Sequence, residues 1–69
     1  MKTTTVTKLR HAEKLLKTAF AEIVEAIAAD ADYATRAMAN DSTAALIVSA
    51  MVKTNNAGKS LEELLKQHD

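Results

Sequence analysis

Residues 7–29 read TKLRHAEKLLKTAFAEIVEAIAA, and the spacing of their apolar side chains decides the fold. Leu9, Leu16 and Ile23 recur every seven residues, with Ala12, Ala19 and Ala26 three positions further on and Val6, Phe20 and Ile27 alongside. On a helix these positions form one apolar stripe, and Lys8, Arg10, Glu13, Lys14, Lys17, Glu22 and Glu25 fill the rest of the circumference. Glu13 and Lys17 are a favourable i, i+4 pair. The stretch predicts one long amphipathic helix over about 7–29.

Nothing downstream forbids more helix for some distance. The chain has no proline, and its only glycine is Gly58. Asp30 and Asp32 are residue types that turn the chain and cap a following helix, which would carry Tyr33, Ala34, Ala37 and Met38 on its inner side. Asn40, Asp41 and Ser42 form a second such cluster, so residues 33–53 read either as one helix or as two short ones. Leu46, Ile47, Val48, Met51 and Val52 crowd nearly every side of the last part, the pattern of a helix covered by neighbours or by a partner. A buried strand over 46–52 has suitable residues but no second strand to pair with. Asn55, Asn56, Ala57 and Gly58 read as a loop, and Ser60 to Glu63 as a capping box that opens a short C-terminal helix docked by Leu61, Leu64 and Leu65. Residues 1–6, rich in threonine, are expected to be a flexible or extended arm, or a frayed turn. The expected fold class is all-α: a single helical domain over 1–69, a small bundle with one long helix, one or two middle helices and a short C-terminal helix.

That bundle would have little to bury. The chain has 69 residues and is 48% apolar, but 14 of the apolar residues are alanine, which leaves a thin core for a domain already small. Such chains normally need a disulfide, a metal or a partner. The absence of cysteine excludes a disulfide and leans the expectation toward the cytoplasm. His11 and His68 lie at opposite ends with no cysteine to complete a ligand set, so no metal and no cofactor are expected. Self-association is the remaining route, and a homodimer is the expected assembly.

Several function classes are set aside on the same residues. The longest apolar run, Ala44 to Val52, is broken by Ser49 and falls well short of the roughly 20 residues of a membrane span. Lys2 to Arg10 lacks the apolar centre of a secretory leader. Ala57-Gly58-Lys59-Ser60 matches the end of a phosphate-binding loop, but Lys53 stands where that loop needs its first glycine. Ser42, Ser49 and Ser60 have no histidine nearby in sequence, so neither an enzyme nor a small-molecule substrate is expected. A helix-turn-helix built on Ala37, Asp41 and Ile47 would offer Leu46, Val48 and Val52 where base contacts need polar groups. A ribbon-helix-helix arrangement, with Lys2 to Thr7 as the ribbon, fits in outline only.

The charge distribution is more informative than the balanced total of nine bases and nine acids. Residues 1–20 hold five bases, Lys2, Lys8, Arg10, Lys14 and Lys17, against Glu13, a net of +4; residues 21–41 hold Glu22, Glu25, Asp30, Asp32 and Asp41 against Arg36, a net of −4. Bases lead and acids trail along the first helix, which opposes its macrodipole. An antiparallel copy of the same helix would compensate both halves, and the alanines would let the two backbones approach. The expected dimer interface is Leu9, Ala12, Leu16, Ala19, Ile23 and Ala26. The expected partner-binding residues are Lys8, Arg10, Lys14, Lys17, Leu46 and Ile47. The function expected on this basis is that of a non-enzymatic, protein-binding regulator, inhibitor or adaptor acting as a helical homodimer. The second reading is a small dimeric DNA-binding regulator with a basic, threonine-rich N-terminal arm.

Overall fold

The computed structural model describes residues 1–68, and every regular element among them is helical. Helix α1 runs Thr3–Ala29, α2 Tyr33–Met38 and α3 Ser42–Lys66. The two long helices lie against each other as an antiparallel hairpin, and α2 bridges their joined ends and touches α3. The resulting rod measures 48 × 18 × 14 Å.

Helix α1 begins four residues before the expected start. Thr3 to Val6, anticipated as an arm, form its first turn, and the Thr7 hydroxyl donates to the Thr3 carbonyl at 3.0 Å. Threonine is a poor helix former, but its hydroxyl can bond back along the helix, and the turn is continuous with a strongly periodic segment. A ribbon over Lys2 to Thr7 is therefore not what these residues form.

The chain reverses through Asp30, which forms a turn, and Asp41, which caps a helix. The Asp30 carboxylate accepts the Asp32 amide N–H at 2.9 Å and pairs with the Arg36 guanidinium at 3.0 Å, which ties the end of α1 to α2. Helix α2 then closes in a complete Schellman motif: the Asn40 N–H donates to the Ala37 carbonyl and the Asp41 N–H to the Arg36 carbonyl. Such a closure needs a residue in the left-handed region just past the helix, and Asn40, at φ 56°, occupies it. One residue on, the Asp41 side chain accepts the Thr43 N–H at 2.7 Å and caps α3. The polar cluster at 40–42 thus separates two helices, and the middle segment is not one continuous helix.

The C-terminal half departs from expectation. Asn55 to Gly58 are not a loop, and Ser60 is not a cap; both lie inside α3, which continues unbroken to Lys66. The physical reason is a tertiary contact that local propensity does not register. Gly58 is buried, and a methyl group placed on it would lie 3.9 Å from the Leu16 Cβ, an ordinary van der Waals contact, so α1 and α3 pack side by side at this point. Thr54 and Asn55, one turn earlier, are half-buried, and Leu65, two turns later, is buried. Ala57, Gly58, Lys59 and Ser60 are helical, so no phosphate-binding loop forms there.

Two outcomes follow from these contacts. Because 3.9 Å is ordinary van der Waals distance and alanine is the better helix former, Gly58→Ala should stabilise the fold by about 0.5–1 kcal/mol in chemical denaturation. Gly58→Leu should force the helices apart and destabilise it; a loss on alanine substitution would contradict this packing. The Asp41 carboxyl is held below the usual carboxylate range, first by the Thr43 backbone N–H. A group whose folded pKa is depressed stabilises fully above its unfolded value, about 3.9, and that contribution is lost as pH falls through the folded one. Asp41→Asn keeps a capping side chain but should remove this part of the acid loss of helicity, read by circular dichroism; an acid profile identical to the parent's would exclude the role.

Candidate interaction surface

The side of α1 that carries Leu9, Leu16 and Ile23 is turned to α3. The Leu16 contact with Gly58 sets the register, and counting along an antiparallel pair from it puts Leu9 level with Leu65, Ile23 with Met51 and Ile27 with Ile47. All of these apart from buried Leu65 are half-buried. The heptad leucines and Ile23, expected at a dimer interface, are thus occupied in the first instance by the chain's own third helix. Ala12 is half-buried at the margin of this seam, while Ala19 and Ala26 are exposed on the flank beside it.

The expected partner-binding residues divide in the same way. Lys8, Arg10, Lys14 and Lys17 are all exposed, with Lys17 in an i, i+4 pair with Glu13 at 3.9 Å. Leu46 is 70% exposed, whereas its neighbour Ile47 is half-buried on the side toward α1. Adjacent residues on a helix point about 100° apart, so one can be core and the other surface. No acid lies in the first turn of α1 and no base in its last, and α3 has no charged residue between Ser42 and Val52 to face the acidic half. Among the described residues, Lys66 pairs with Glu62 and Arg36 with Asp30, and Glu22 and Glu25 join neither pair.

What the hairpin leaves uncovered is apolar. Leu15, Val24, Met38, Val48 and Val52 are exposed along with Leu46, whereas only Ala44, Gly58 and Leu65 are buried among the described residues. The sequence reading passed over Leu15 and Val24 because they stand off the dominant stripe. The signal that could have found them is that α1 has more large apolar residues than one seam can cover.

The described residues form two open concave features. A cleft of about 190 Å³ lies between α1 and α3 over Leu16 and Phe20, with Thr54, Asn55 and Glu62 on its α3 side. It is below the roughly 300 Å³ at which ligand pockets begin. A second, more open hollow of about 390 Å³ lies under α2 between Tyr33, Ala37 and Val48. Among the described residues no three His, Asp or Glu side chains are grouped to hold a metal, and no helix is long and apolar enough to cross a membrane. Compared with family models, with curated proteins and with solved structures, the chain matches none.

Proposed function

We propose that this chain is a non-enzymatic binding module that works as a homodimer and engages another protein through helix surfaces. One observation carries the reading. A compact monomer of 7.4 kDa exposes about 4,200 Å², whereas this chain exposes 5241 Å². The excess, on the order of 1,000 Å², is close to the roughly 800 Å² that each partner contributes to a standard interface. Leu15 and Leu46 are among the large apolar side chains that contribute to the exposed area. The outward residues of α1, Lys8, Lys14, Glu22 and Glu25, supply the polar rim that accompanies an apolar centre in a protein-binding site.

The test is sedimentation equilibrium at micromolar concentration. The reading predicts a mass near twice 7.4 kDa, and a single species of 7.4 kDa would overturn it. Salt-dependent retardation of duplex DNA by the same sample would overturn the protein-binding half in favour of a nucleic-acid role.

A further inference from the structure

We infer that α2 is a lid held open by the Asp30–Arg36 ion pair, and that release of this latch lets α2 roll about its own axis and bring Met38 into the hollow above α3. The inference concerns a device within one chain and does not depend on the homodimer reading.

Helix α2 is docked out of phase with its own apolar face. Ala34, Ala37 and Met38 share one side of the helix, at spacings of three and four residues, and the sequence pattern places Ala34 and Met38 inward together with Tyr33 and Ala37. In the structure only Tyr33 and Ala37 line the hollow. Ala34 is exposed, and Met38 is 86% exposed, more than any other large apolar residue among those described. Of the six residues of α2, Tyr33 alone is even half-buried. A helix this short has little stability of its own and keeps its place through its contacts.

The space beneath α2 is unfilled. The hollow measures about 390 Å³, with Ala44 and Val48 of α3 on its far side, and Val48 is left exposed. An apolar cavity of roughly 150 Å³ already takes up benzene, so an unbranched, flexible methionine side chain has room to enter. Adjacent residues on a helix stand about 100° apart. A roll of somewhat less than that exchanges Tyr33 and Ala37 for Ala34 and Met38, and lays the thioether over Val48. The short connections at 30–32 and 39–41 take up the movement.

What opposes the roll is one ion pair. The Arg36 guanidinium meets the Asp30 carboxylate at 3.0 Å, and turning Met38 inward carries Arg36 away from it. Both side chains are partly exposed, so the pair contributes little and is screened by salt. Burial of the methionine works in the other direction. The two positions of α2 are therefore close in free energy, which is the condition for a switch that a small perturbation can move.

Oxidation of methionine reads the position of Met38 directly. One peroxide oxygen passes to the thioether sulfur, giving sulfoxide and water, at a rate that follows access to the sulfur. Met1, 55% exposed, and half-buried Met51 are references within the same chain. The full-length parent, Arg36→Gln and Asp30→Asn are treated with dilute hydrogen peroxide, each methionine is followed by peptide mass spectrometry, and helicity is checked by circular dichroism. The proposal predicts that Met38 oxidises at least as fast as Met1 in the parent at low salt. It predicts several-fold slower oxidation of Met38 in both variants, and in the parent at high salt, with Met51 unchanged. Asp30→Asn removes the charge but keeps a side chain that can hold the turn to Asp32, so it decides the case should Arg36→Gln lose α2. Oxidation of Met38 at the parental rate or faster in both variants would overturn the proposal, as would a Met38 already protected in the parent at low salt.

Discussion

The close approach of α1 and α3 at Leu16 and Gly58 is the contact on which the rest of the structure depends. It fixes the register of two long helices, and the register decides which of their apolar residues meet. Leu9, Ile23 and Ile27 then fall opposite Leu65, Met51 and Ile47 without any further device. A side chain much larger than alanine at 58 would widen the gap for a turn or more on either side, because a helix is stiff and cannot yield at a single position.

Two helices side by side have a geometric limit, since each covers one stripe of the other and leaves the remainder to solvent. The radius of gyration, 15.4 Å, exceeds the roughly 11 Å of a compact chain of this length for that reason. Helix α2 covers a little of α3 near Ala44 and Val48 but is too short to close the rod.

The first helix was legible because its period is unambiguous over three heptads, and the turn at Asp30 and the cap at Asp41 were legible because aspartate satisfies free backbone N–H groups in a recognisable place. The run Asn55-Asn56-Ala57-Gly58 misled for the same kind of reason. Its residues favour a turn locally, and only the presence of α1 across from Gly58 reverses the preference. Ser60 and Glu63 had the spacing of a capping box, yet a helix already in progress leaves no free N–H groups for them to cap. The stripe of Leu9, Leu16 and Ile23 was read as a dimer interface, and in the structure it faces the chain's own third helix, because a sequence does not say whether the facing helix belongs to the same chain. Leu46 and Ile47 show the other limit: two adjacent apolar residues are indistinguishable until the helix is placed against its neighbour.

The central claim is that the hairpin is an incomplete folding unit whose exposed leucines are covered by a second copy. Its most direct test is the thermal unfolding midpoint, followed by circular dichroism from about one to several hundred micromolar chain. When folding and association are coupled, the midpoint rises with concentration by mass action. The account predicts that rise, with the unfolded state favoured on dilution. A midpoint unchanged across the whole range would mean that the hairpin is complete as a monomer, and would contradict it.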